Sequence, residues 1–148
     1  MTEQPPDLMV EYEWCEGTIP PPDYYEYTIR IGPGPHGVVL FRPDYPSHDP
    51  PEWAVPFDVT ADELSALWAE LAAAGLLSGR SWPAREDHAV GGSLERVTVA
   101  QAGRPVTVPW RPAEPERLAP LYRFLRSLVP EPLWRDLRAR HEAYGRTS

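Results

Sequence analysis

The sequence predicts an α+β fold: an antiparallel sheet built from two hairpins, a capped helix between them, and two C-terminal helices packed on one face. Three observations carry that prediction. Runs of alternating apolar and polar residues come in neighbouring pairs joined by Gly/Pro-rich segments. A single amphipathic stretch separates the pairs, so strands and helices do not alternate as a parallel sheet would need. The last third of the chain has helical spacing and no strand pattern.

After a Pro-containing start, Val10, Tyr12 and Trp14 alternate with Glu11 and Glu13, the period of a half-buried strand. Pro20, Pro21 and Pro22 follow and favour an extended loop. Tyr25, Tyr27, Ile29 and Ile31 then alternate with Glu26, Thr28 and Arg30. A Gly/Pro segment leads from them into Val38, Val39, Leu40 and Phe41, which reads as a hairpin. Residues 43–51 form a Pro-rich loop, and Trp53 to Val59 is a further short strand. The helix at 60–74 is the best-specified element. Thr60 and Glu63 form a capping box, and Val59 and Leu64 stand at staple positions. Leu64, Leu67, Trp68 and Leu71 share one face, and Gly75 supplies a left-handed stop. Residues 76–91 are irregular. Leu94 to Ala100 and Pro105 to Trp110 form the second hairpin around Ala102 and Gly103. Leu118, Leu121, Tyr122, Leu125 and Leu128 line a helix that Pro120 delays and Pro130 breaks. Pro132 suits the first turn of the last helix, which turns Leu133, Trp134, Leu137, His141 and Tyr144 inward and stops at Gly145.

The 148 residues read as a single domain, with residues 1–7 and 146–148 flexible. A chain of that length buries roughly 70% of the surface its unfolded form exposes, enough for a core without metals or disulfides. One cysteine, Cys15, excludes an intramolecular disulfide framework. The longest weakly polar stretch, Leu64 to Leu77, is too short to cross a bilayer. The first ten residues lack a basic region and an apolar run, so the expected location is cytoplasmic, with no membrane contact. The net charge of −8 argues against a nucleic-acid binder. All basic residues are arginine, and asparagine is missing. That bias points to a GC-rich bacterial genome and removes lysine Schiff-base chemistry, the P-loop lysine and a Cys-His-Asn triad. The acids of residues 1–29 face no base in that segment, whereas residues 117–148 are Arg-rich. The two are expected to pack against each other.

Each chemical motif competes with a plainer reading. Gly32-Pro33-Gly34-Pro35-His36-Gly37 matches G-x-G-x-x-G, but a strand follows it and two prolines remove N–H donors, so it is a hairpin turn. Glu11 and Glu13 project from one strand face roughly 7 Å apart, compatible with carboxylate-pair chemistry but ordinary for a solvent face. Cys15 lies among acids that disfavour its thiolate, so it reads as structural. Trp14, Trp68 and Trp134 sit on apolar stripes as core anchors. Trp53 and Trp82 lie in Pro-rich surroundings, where a large aromatic anchors a loop or marks a binding face.

The favoured expectation is a non-catalytic cytoplasmic interaction or adaptor domain, needing no cofactor and binding a protein partner or a second copy. Tyr45, Trp53 and Trp82 are its candidate surface. The alternative is a small-molecule-binding domain or a metal-dependent hydrolase, with Asp44, His48, Asp49 and His88 converging from the 44–49 and 86–88 loops. The first is preferred because every catalytic constellation fails on spacing or context.

Overall fold

The computed structural model describes residues 7–17, 23–77, 82–84, 93–101 and 103–147. The elements are β1 (Met9–Cys15), β2 (Glu26–Ile31), β3 (His36–Arg42), β4 (Trp53–Asp58), α1 (Ala61–Ala74), β5 (Leu94–Gln101), β6 (Arg104–Thr107), α2 (Ala119–Ser127) and α3 (Glu131–Thr147). Short 3-10 turns at Pro46–His48 and Pro115–Arg117 precede β4 and α2. The strands make one antiparallel sheet in the order β4-β3-β2-β1-β5-β6. The α+β architecture is as the residue pattern predicts.

What the two hairpins share is β1. Val10 lies between Ile31 and Val99, Tyr12 between Ile29 and Val97, and Trp14 between Tyr27 and Glu95. This register puts every second residue of the four inner strands on one face, and a one-residue slip would turn them all to water. On that face Val10, Tyr12, Ile29, Val39, Val97 and Val99 are almost wholly buried. They join Leu67 and Leu71 of α1, Leu121 and Leu125 of α2, and Leu137 of α3 in one core. The helices therefore cover one side of the sheet, and none of the described helices lies over the other. Both edge strands carry proline, Pro56 on β4 and Pro105 on β6, which blunts strand addition.

The local signals in α1 act as read. The Thr60 hydroxyl accepts from the Glu63 N–H at 3.0 Å, and the Glu63 carboxylate accepts from the Thr60 N–H at 2.9 Å. Gly75 adopts φ 84°, and its N–H and that of Leu76 return to Ala72 and Leu71 as a Schellman ending. The G-x-G-x-x-G match is the β2–β3 turn, closed by Gly32 N–H donating to His36 O at 2.9 Å. A Cβ at Gly32 (φ 89°) would stand 2.2 Å from Leu8 O, so the turn requires glycine there.

Two expectations need correction, and a third holds as packing without charge pairing. Gly145 does not stop α3, which runs to Thr147. Glycine ends a helix by turning left-handed, and Gly145 is not among the glycines that do so. The second hairpin's outer strand ends at Thr107 instead of Trp110, because Pro109 has no N–H to donate, although Val108 N–H still reaches Val97 O at 2.9 Å. The acidic N-terminal segment does pack on the Arg-rich C-terminal helices, with Tyr12 against Tyr122 and Arg126 and Tyr27 against Trp134, but among the described residues no ion pair joins its acids to their arginines. Glu11 binds Arg30 and Glu13 binds Arg96, each across a strand boundary. Arg138, Arg140 and Arg146 pair with Glu131, Asp136 and Glu142 of their own helix. Cross-strand register and helical spacing satisfy these charges locally.

Candidate functional site

The loop expected to supply ligands forms a structural clip. Asp44 is the buried carboxylate among the described residues. It accepts from the Tyr45 backbone N–H at 2.7 Å, contacts His48 Nδ1 at 3.0 Å, and accepts from the Tyr144 hydroxyl at 3.4 Å. Burial pushes its carboxyl up, but the Tyr45 N–H, His48 and Tyr144 together hold it below the ordinary aspartate value. The clip ties the Pro46–His48 turn to the end of α3. Asp49 ends that turn in a left-handed conformation (φ 50°), and its N–H bonds Pro46 O. His88 lies outside the described residues. Among the described residues no three His, Cys, Asp or Glu side chains gather to hold a metal ion.

The three candidate surface aromatics are half-buried and occupy separate places. Tyr45 stacks on Tyr24 with ring centroids 3.7 Å apart. Trp53 opens edge strand β4, stacks on Phe41 at 5.7 Å, and has the Arg140 guanidinium 5.9 Å from its ring centre. Trp82 packs against the core beside the Gly75 end of α1. Each packs on neighbours within the chain, Tyr45 and Trp53 on rings and Trp82 on the core.

Periodicity did not reveal the row of rings to which Trp53 belongs. Trp53, Phe41, Tyr25 and Trp14 follow one another across β4, β3, the residue before β2, and β1, with centroid spacings of 5.7, 5.3 and 4.9 Å. Tyr27 stacks on Trp14 at 5.2 Å and meets the edge of Trp134 at 4.9 Å. His141 approaches Tyr25 at 5.1 Å, and its Nε2 donates to Tyr24 O at 3.2 Å. Between this row and α3 lies a cleft of about 390 Å³, walled by Tyr25, Tyr27, Phe41, Trp134 and Leu137, with Arg126, Arg138, His141 and Glu142 also lining it. That volume is within the range of small-ligand pockets.

Behind the cleft, a polar cluster joins sheet and helix. The Tyr12 hydroxyl bonds Glu95, and Arg126 donates to Tyr12 at 2.7 Å and to Glu95 at 3.0 Å. Burial, then the Glu95 carboxylate, push the Tyr12 phenol far up, so it stays protonated and donates. Glu95 occupies a covered-face position of β5, opposite Trp14, where an apolar residue would otherwise sit. Arg126 is therefore engaged on its sheet side.

The open face carries a second concavity, of about 570 Å³, which holds Glu11, Glu13, Glu26 and Glu52 with Arg30, Arg42 and Arg96. Glu11 accepts from Arg30 at 2.7 Å, and Arg42 reaches Glu26 at 3.2 Å and Glu52 at 2.8 Å. Arg96 pairs with Glu13 and lies 4.3 Å from the ring centre of Trp110, which shelters one end. Glu11 and Glu13 share a face as their spacing predicted, but each is held by an arginine. Cys15, at the same end as Glu26, has its thiol pushed up mainly by burial and further by Glu26, which suits a structural thiol.

No family model matches the chain, and no curated protein matches it. Among the described residues no helix is long and apolar enough to cross a membrane.

Proposed function

We propose that the protein is a non-catalytic interaction domain of the bacterial cytoplasm that receives a protein partner on the open face of its sheet. One observation carries this reading: the uncovered face is concave and presents four carboxylates and three guanidinium groups already ordered by pairing across four strands and the residue before β4. Ordered side chains lose little further entropy on binding, and their fixed alternation of sign selects a partner of complementary charge. Val38, Leu40, Ala54 and Pro56 lie beside this lattice on the same face, as the pairing of β3 with β4 places them, and add apolar area. Each carboxylate of the lattice is committed to a guanidinium, which leaves none placed as a free acid or base. A lone cysteine suits a reducing compartment.

A second reading, small-molecule binding, draws support from the aromatic cleft under α3. The hydrolase form of that alternative has no such support, since Asp44 and His48 are engaged with each other and with the loop backbone.

The test is capture of tagged protein from host lysate at low and moderate salt, with native mass. Thr28 lies at the middle of the open face between Glu13 and Leu40, so Thr28→Arg fills the concavity without touching the core. Arg123→Glu, on an exposed part of α2, is the control. A stoichiometric partner retained by the control and lost by Thr28→Arg supports the reading. A partner that tolerates Thr28→Arg, or protein recovered alone as a monomer, overturns it.

A further inference from the structure

We propose that the cleft between the sheet and α3 binds a small planar aromatic carboxylate, its ring against Tyr25 and Trp134 and its carboxylate on Arg138. Three observations converge. First, rings dominate the wall, and Tyr25 and Trp134 remain half-exposed although each already touches ring neighbours. The part-exposed ring surface of Tyr25 and Trp134, set beside other rings, favours a flat apolar guest over an aliphatic one. Second, charge at the cleft runs against that of the whole molecule. The chain carries −8, yet the cleft is lined by Arg126 and Arg138 against the single carboxylate of Glu142. Third, the two arginines differ in availability. Arg126 is engaged by Tyr12 and Glu95. Arg138 meets Glu131 at 2.8 Å in a pair of which both side chains are more than 60% exposed (62% and 61%), the kind that contributes little and exchanges readily. Arg138 and Tyr25 line the same cleft, and the Tyr25 phenol is raised by burial and then by Glu16, with Arg138 opposing. A guest carboxylate can then take the guanidinium as a charge-assisted, bidentate acceptor.

The inference does not depend on the partner proposed for the open face. Calorimetric titration with benzoate, anthranilate and indole-3-acetate tests it, using 3-methylindole as the ring without the acid and cyclohexaneacetate as the acid without the aromatic ring. At least one aromatic acid is expected to bind at one site per chain, on the order of tenfold tighter than either control, and to quench tryptophan fluorescence. Arg138→Gln should erase the advantage of the acid while leaving 3-methylindole unchanged, and Arg135→Gln, on the same helix outside the cleft, should change neither. Thr28→Arg should bind the acid normally, which separates this result from the fate of the open-face reading. Absence of saturable binding by all three acids, equal binding of indole-3-acetate and 3-methylindole, or indifference to Arg138→Gln overturns the inference.

Discussion

The same strands present two unlike faces, and adjacent residues show the contrast. Ile29 is fully buried between Tyr12 and Val39, whereas its neighbour Thr28 faces the open side between Glu13 and Leu40. On the covered side, apolar area removed from water supplies the folding free energy, at about 25 cal/mol per Å². On the open side, cross-strand ion pairs fix side-chain positions and contribute little stability. Stability and, in the function proposed above, recognition are thus separated by one residue of register. A change on one face should be felt as unfolding, and a change on the other as altered binding.

The sharpest break in that contrast is Ile29→Ala against Thr28→Ala. The first deletes a core side chain and should cost about 2–5 kcal/mol in urea denaturation, whereas the second should stay within about 0.5 kcal/mol. Comparable losses would mean that the open face is part of the core. Gly37→Ala comes next. A Cβ at Gly37 would lie 2.4–2.8 Å from three atoms of the Phe57 ring, which fills the space a side chain would need on β3. Overpacking there should cost about 1–3 kcal/mol, and Phe57→Leu in the same chain should recover part of it. A double mutant no better than the single one would place the strain elsewhere. On the open face, Arg30→Ala breaks a half-exposed pair with Glu11 and should cost about 0.2–1 kcal/mol at low ionic strength, shrinking as salt screens the pair. A larger, salt-independent loss would show that the lattice holds the sheet together.

How much of this was legible depended on the distance over which each signal acts. The helix α1 was readable to the residue because Thr60, Glu63 and Gly75 cap it within its own turns. Strand positions were readable from alternation, and so was the shared face of Glu11 and Glu13. Their partners were not: Arg96 lies more than eighty residues along the chain from Glu13, and only the β1–β5 register brings them together. The aromatic row is hidden for the same reason, since Trp53, Phe41, Tyr25 and Trp14 lie on or next to separate strands and each looks like a solitary core or loop residue in sequence. Glu95 reads as an ordinary polar position of a strand, yet it faces the covered side and meets Tyr12 and Arg126. Even a local sign can mislead. Gly145 resembles a stop, but α3 continues through it while the Tyr144 hydroxyl docks on Asp44.

That docking gives the smallest effect and the finest test of how the covered face is closed. Asp44 is a carboxylate whose folded value lies below its unfolded one, because the Tyr45 N–H, His48 and Tyr144 outweigh the cost of burial. Its contribution is therefore complete above the unfolded value, about pH 4 for aspartate, and disappears as the pH falls through the depressed folded value. Asp44→Asn cannot lose what it never ionises. The wild type should exceed the variant in stability at neutral pH, fall more steeply on acidification below about pH 4, and meet the variant's curve at the acid end. Urea midpoints followed across that interval give the comparison. Parallel curves would mean that the charge on Asp44 does no more than a neutral amide to hold the end of α3 against the Pro46–His48 turn. Convergence would locate one acid-sensitive tie of the helix layer outside the apolar core, at the buried carboxylate that joins the β3–β4 connection to the last turn of the chain.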